Sequence, residues 1–213
     1  MREGGRVAAA IEVLRDVIDQ RTPVKDAMRD WGKRARYAGA RDRAWVSGLT
    51  LDALRRRNSI AHHMGETSAR VLALGALKLA WGWDMRQIEG ALKDEHAPAA
   101  LSPMEREALL LAPDPAGPPH VRGDFPEWLT PMMLRAFGET AVAEAQAMAT
   151  RAALDLRINT LKADAEKAGR ALESIQARAM AELRHGFRVA APEAVERGES
   201  VEAIPAYSKG WVE

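Results

Sequence analysis

The 213-residue chain contains no cysteine. That absence excludes disulfides, thiolate metal sites and any cysteine nucleophile within these residues. The chain has no Gly-rich phosphate or dinucleotide loop and no Gly-x-Ser-x-Gly elbow. No apolar run approaches the roughly 18 residues that a membrane span needs. The start, Met1-Arg2-Glu3-Gly4-Gly5-Arg6, leads into an amphipathic helix with acidic residues and not into a signal peptide. A cytoplasmic protein with no membrane partner is expected. Histidine is also sparse. His62 and His63 are adjacent, so on a helix they point apart, and His96, His120 and His185 are isolated. No metal site is expected. Carboxylate pairs such as Asp94-Glu95 and Glu105/Glu107 read as solvated helix surface. From these residues alone no catalytic, cofactor-binding or metal-binding group emerges.

What is present is ordinary for a folded protein: 47% apolar and 29% charged residues. The length allows one large domain or two small ones with a real core. Net charge is +1, unevenly placed. Residues 1–57 carry 14 basic and 8 acidic side chains, residues 58–150 carry 7 and 12, and residues 151–213 carry 10 and 10. A basic N-terminal third points to an anionic partner.

Periodicity predicts a mainly α chain with a small α+β unit at its end. Val7, Ile11, Leu14 and Ile18 define one face of a helix over Arg6–Asp19. Thr22 and Pro23 open a second, as N-cap and first helical residue, reaching about Ala35. Tyr37-Ala38-Gly39 breaks the pattern, and Ala40 to Arg57 forms a third helix. Thr67 to Trp81 is apolar nearly all round, so it is central in a bundle. Trp81 and Trp83 read as core packing at its end. Shorter helices follow over Asp84–Glu95 and, capped by Ser102-Pro103, over Met104–Leu111. Four prolines between Ala112 and Asp124 predict an extended connector without helix. The expected organisation is therefore a helical domain over 1–112, a Pro/Gly-rich linker over 113–125 and a small mixed domain over 126–213. In the last part, helices begin at Pro126 and at Glu139, the latter running to about Ala152. A buried strand is predicted over Leu156–Lys162, a helix over Asp164–Ile175 and a strand over Gly186–Ala190. Val201–Ile204 and Trp211–Glu213 are weaker strand candidates. The apolar end at Trp211-Val212-Glu213 reads as a cut edge.

Two stretches carry functional signal. Between Arg29 and Arg57 lie nine basic and three acidic residues, interleaved with Trp31, Tyr37 and Trp45. The aromatics are assigned to the core. Arg41 and Arg43 start the third helix, and Arg55, Arg56 and Arg57 end it. Cations at a helix C-terminus complement the macrodipole, so phosphate contact and a merely solvated face both stand open. The second stretch is the strand Leu156–Lys162, where Arg157 and Asn159 share a face. An Arg-x-Asn pair there can hold nucleic acid. Alternatively, Arg157 pairs with a local carboxylate such as Asp155 and Asn159 caps the following turn.

Three pieces together, Arg36–Arg43 with Leu54-Arg55-Arg56-Arg57, Pro126-Glu127-Trp128-Leu129 with Phe137-Gly138, and Leu156–Lys162 with Pro205–Glu213, resemble the N-terminal half of the Sun (Fmu, Nop-type) RNA cytosine-C5 methyltransferases. That group includes the bacterial small-subunit rRNA methyltransferase B. The resemblance implies a NusB-like helical bundle that binds RNA, followed by a small α+β (RRM-like) domain preceding a catalytic domain. It implies S-adenosylmethionine as cofactor of the full-length protein only. In that chemistry a cysteine thiolate adds to carbon 6 of cytosine so that carbon 5 can take a methyl group. A chain without cysteine cannot do this, so these residues are expected to be inactive alone. The expected partners are RNA, small-subunit rRNA in particular, and the chain's own C-terminal catalytic domain. The expected RNA contacts are Arg41, Arg43, Arg55, Arg56, Arg57, Arg157 and Asn159. The competing readings are a stand-alone NusB-like or antitermination-type RNA-binding module and a helical protein-interaction domain.

Overall fold

Apolar residues at helical spacing build the first part of the molecule. The computed structural model describes residues 1–113, 117–192 and 204–213. Within these, one compact unit spans Met1–Thr150 and a second begins at Arg151. The division falls later than the proline-rich stretch, because the helices over 119–148 group with the first unit.

Five helices make the centre of that unit: α1 (Glu3–Ile18), α2 (Val24–Arg34), α3 (Ala40–Arg55), α4 (Arg57–Met64) and α5 (Ala69–Leu79). α1, α3 and α5 pack against one another, and α4 lies on α5. Every residue of α5 from Val71 to Leu77 is buried, as its all-round apolar pattern predicts. Gly75 lets α4 approach: a Cβ there would collide with Ile60 Cγ2. Trp31 and Trp45 are core residues, but Tyr37 is 74% exposed, contrary to the sequence expectation. It sits in the turn between α2 and α3, where no second layer covers it. Trp45, Trp81 and Trp83 cluster, and Trp81 Nε1 donates to Asp52 at 2.9 Å.

The helix expected over Ala40–Arg57 instead ends at Arg55. Arg56 adopts φ −113°, ψ 26°, and α4 begins at Arg57. Arg57 therefore stands at a helix N-terminus, where the macrodipole disfavours a cation. Asp124 supplies the missing anion. Its carboxylate accepts from the Ser59 N–H at 2.8 Å and from Ser59 Oγ at 2.6 Å. Asn58 Nδ2 donates to the Phe125 carbonyl at 2.8 Å. These bonds tie α4 to α8 (Pro119–Arg122), a single turn inside the stretch predicted to be helix-free. Pro119 is at the first helical position, where its missing N–H costs nothing. α6 (Met85–Ala91) and α7 (Pro103–Leu110) are capped by Asp84 and Ser102. Two more helices, α9 (Thr130–Phe137) and α10 (Ala141–Met148), follow α8. α9 buries none of its residues, leaving Met132 and Leu134 exposed, and Trp128 just before it is exposed as well.

The second unit is a small antiparallel sheet with a helix on one face. β1 (Leu154–Arg157) pairs with β3 (Gly186–Val189), and β3 pairs with β2 (Arg178–Ala179), giving the order β1-β3-β2. α11 (Ala165–Leu172) covers the apolar face, burying Ala168 and Leu172 among Leu156, Phe187 and Val189. α12 (Pro205–Ser208) and Val212 complete this core. The strand predicted over Leu156–Lys162 stops early. Ile158 bridges to Val212, and the chain then turns because Asn159 Oδ1 accepts the Leu161 N–H at 3.2 Å. Leu161, read as a buried strand residue, is 94% exposed. The strand expected over Val201–Ile204 lies outside the described residues except for Ile204, which precedes α12.

Two carboxylates titrate in opposite directions. Burial alone would raise Asp42, but bonds from the Arg6 guanidinium, the N-terminal amine and the Gly39 N–H hold it below the usual range. Burial pushes Asp124 up in spite of Ser59. Asp42 thus contributes stability above the ordinary carboxylate pKa and loses it as pH falls through its lowered value. Asp124 favours the fold at low pH, an advantage lost as pH rises through its raised value. In urea unfolding at neutral pH, Asp124→Ala is expected to cost about 1–2 kcal/mol through loss of the α4 cap. Asp124→Asn, which keeps an acceptor for Ser59, is expected to stay within about 1 kcal/mol of the parent. Equal losses in both would show that the cap is not what Asp124 provides.

Candidate nucleic-acid interface

Strand alternation turns Asp155 and Arg157 away from the α11 side of the sheet. The register places Asp155 opposite Arg188, and Arg188 opposite Arg178. Arg188 takes both oxygens of Asp155, at 2.6 and 2.7 Å. That hydrogen bond holds the Asp155 carboxyl below its usual value and raises the Arg188 guanidinium. Asp155 is therefore not the partner of Arg157. Arg157 reaches Glu213 at 3.4 Å, with the two side chains 80% and 68% exposed. A pair so solvated holds the guanidinium weakly, so Arg157 remains available to an anion.

A cleft of about 630 Å³ opens beside this strand, lined by Arg157, Asn159, Leu161, Leu183, Arg184 and His185 among others. Arg184 is exposed and has no ion-pair partner among the described residues. Leu161 and Leu183 stand exposed at the same cleft. Cations beside exposed apolar side chains suit a strand whose phosphates and unstacked bases must both be held.

Asn159 takes the turn-capping role that the sequence left open as an alternative. Its Nδ2 donates to the Gly210 carbonyl at 3.1 Å, its N–H to the Trp211 carbonyl at 2.8 Å, and its Oδ1 closes the turn to Leu161. The side chain is occupied by the protein and positions the segment around Trp211. Lys167 Nζ and Lys209 Nζ lie 4.2 and 4.7 Å from the Trp211 ring centroid. Lys162 Nζ would lie 3.0 Å from a Cβ on Gly210. Three exposed ammonium groups thus gather near one tryptophan. Sequence reading missed them because they lie on separate elements, 42 residues apart in the case of Lys167 and Lys209. Pro205–Glu213 was singled out as a motif, but nothing local shows that it folds back on β1.

In the first unit the predicted basic residues separate. Arg43 is committed: its guanidinium donates to the carbonyls of Ala38 at 3.0 Å and Gly32 at 2.8 Å, closing the end of α2. Arg55 pairs with Asp52 at 3.0 Å. Arg41, Arg56 and Arg57 are exposed, and none has an ion pair among the described residues. Arg56 feels the charge of Asp124. Among the described residues no three His, Asp or Glu side chains converge as a metal site, and no helix is long and apolar enough to cross a membrane. The groups brought together can bind a polyanion.

Residues 125–196 match the family described as the RsmF/B-like methyltransferase, ferredoxin-like domain. The solved structure entitled "Crystal Structure of PH0851" superposes with a TM-score of 0.57 at 16% identity, covering 100% of this chain and 53% of that one. The chain therefore spans about half the length of that structure, and the likeness establishes a shared fold. No curated protein matches the chain.

Arg157→Gln is expected to leave the unfolding midpoint within about 0.5 kcal/mol of the parent, since it removes only an exposed pair. Asn159→Ala is expected to cost about 1–3 kcal/mol by leaving the Gly210 and Leu161 backbone groups without their partner. Urea titration monitored by Trp fluorescence checks both. The reverse ranking would mean that Arg157, not Asn159, holds the segment.

Proposed function

We propose that this chain, whose residues 125–196 match the RsmF/B-like methyltransferase, ferredoxin-like domain, is the RNA-handling portion of an S-adenosylmethionine-dependent rRNA cytosine-C5 methyltransferase. The observation that carries the proposal is a set of exposed cations in the second unit. Arg157 and Arg184 line a cleft with Leu161 and Leu183, and on the segment that Asn159 fixes, Lys167 and Lys209 stand over Trp211 and Lys162 lies beside Gly210. On this reading the lysines follow the phosphates of single-stranded or looped RNA, and the cleft takes a base. The first unit, in a NusB-like role, adds contacts through Arg41, Arg56 and Arg57. The chain has no cysteine and so supplies no thiolate for addition to carbon 6. The catalytic domain, its cofactor site and its docking surface would belong to further sequence of a longer cytoplasmic protein.

A stand-alone RNA-binding module is the alternative. Intact mass of the native product separates the two. A product well above 23.3 kDa that binds S-adenosylmethionine supports the enzyme, and one of 23.3 kDa overturns it in favour of the module. RNA binding is tested by fluorescence anisotropy with single-stranded RNA across a salt series. The triple variant Lys162→Gln, Arg184→Gln, Lys209→Gln is expected to bind at least tenfold more weakly. Its salt slope should fall by about 0.7 for each phosphate contact removed. Unchanged affinity and slope overturn the assignment of this surface.

A further inference from the structure

We propose that Leu161 is a wedge: its side chain enters between two stacked bases of the bound RNA and parts them, turning one nucleotide out towards the cleft beside β1. The inference rests on the RNA-binding reading and gives that surface a mechanical part that the sequence reading did not assign. Leu161 is 94% exposed. A singly exposed leucine means little by itself. Here the backbone that carries it is fixed. The Asn159 carbonyl accepts the N–H groups of Lys162 and Ala163 at 2.9 and 3.0 Å, and Asn159 Oδ1 accepts that of Leu161 at 3.2 Å. Asn159 is in turn pinned to the Gly210 and Trp211 carbonyls, and Ala163, just after the turn, is buried. The leucine is held out by a preformed turn, so little backbone freedom is lost when it inserts.

The charges around Leu161 say what it meets. Arg157 and Arg184 line the same cleft, and Lys162, the next residue in the chain, is exposed. Two carboxylates are among the described residues lining that cleft. Arg188 holds both oxygens of Asp155, and Glu213 stands 3.4 Å from the Arg157 guanidinium. Burying this leucine against an apolar protein face would strip water from neighbouring cations and return no partner. A nucleic acid offers both surfaces at once, base faces for the leucine and phosphates for the guanidinium and ammonium groups. Leucine is one of the apolar side chains that part base steps. The cost of unstacking and the gain from burying the side chain oppose each other. Insertion therefore changes the shape of the RNA more than its affinity. The freed base has the cleft beside it, whose 630 Å³ lies in the range that holds small ligands.

The test uses the full 213-residue chain and a set of RNA stem–loops, each carrying the fluorescent base 2-aminopurine at one stacked position in or next to the loop. Its emission rises when it unstacks. Saturating parent protein is expected to raise the emission at one position or more by at least about threefold. Leu161→Ala is expected to abolish that rise while RNA affinity stays within about threefold, because the opposing costs are removed together. Its urea midpoint is expected to match the parent's, since the side chain packs on nothing. Leu161→Met, which keeps the apolar bulk, is expected to retain most of the rise. A rise that survives in Leu161→Ala overturns the wedge, as does an equal loss in Leu161→Met. RNA binding by the parent with no rise at any position also overturns it and leaves the RNA-binding reading standing. If the parent chain binds no RNA, both fail.

Discussion

A carboxylate from 65 residues downstream opens α4, and the arrangement of the first unit's second half follows from it. α4 begins after Arg56 without a side-chain cap of its own and with arginine at its first position. Unpaired N–H groups and a repelled cation would leave that end unstable. Asp124 meets the first need through Ser59, its charge is attracted to Arg56, and Asn58 adds a bond to the Phe125 carbonyl. Once α8 is fixed on α4, α10 packs on α8, and Gln146 Nε2 donates to the Arg122 carbonyl at 2.9 Å. The proline-rich stretch therefore does not part the compact units, although the family match begins just after it.

The second unit depends on a comparable long-range tie. The backbone of Arg157 exchanges two hydrogen bonds with Glu213, at 2.8 and 2.9 Å, and Asn159 binds the Gly210 and Trp211 carbonyls. These bonds bring residues 210–213 alongside the end of β1. They also hold Lys209 close to Lys167 over one aromatic ring. Like charges so placed repel in the free protein. The Trp211 ring offsets part of that repulsion through cation–π attraction, and an anionic strand would remove more of it. Asn159 belongs to this arrangement as the residue that sets the loop beyond the end of β1.

The bundle was largely legible from sequence. Apolar spacing marked α1, α3 and α5, and Ser102-Pro103 marked the start of α7, because these signals are local. The boundary at Arg56 was not legible, since the cap that makes it tolerable comes from Asp124. The one-turn α8 was hidden by prolines that, at its first position, are compatible with a helix. In the candidate site, Arg157 was found by strand alternation and is exposed as predicted. The bonds of Arg43 to the Gly32 and Ala38 carbonyls were not legible, because they cross a turn whose geometry the sequence does not give. Arg184, Lys162, Lys167 and Lys209 carry no signal of their own, because each is an unremarkable surface cation until the fold gathers them.

Neither basic surface offers the deep, apolar, fully desolvated pocket that gives tight binding from few contacts. Each supplies a handful of exposed cations whose individual contribution is small and salt-dependent. A single chain carrying both changes that arithmetic. On the proposed RNA-binding reading, a strand that engages one unit meets the other in an intramolecular step, at an effective concentration set by the connecting chain and the strand rather than by bulk solution. Weak, screened contacts of this kind favour a substrate long enough to reach both units over a short one. They also permit release when the strand leaves either surface.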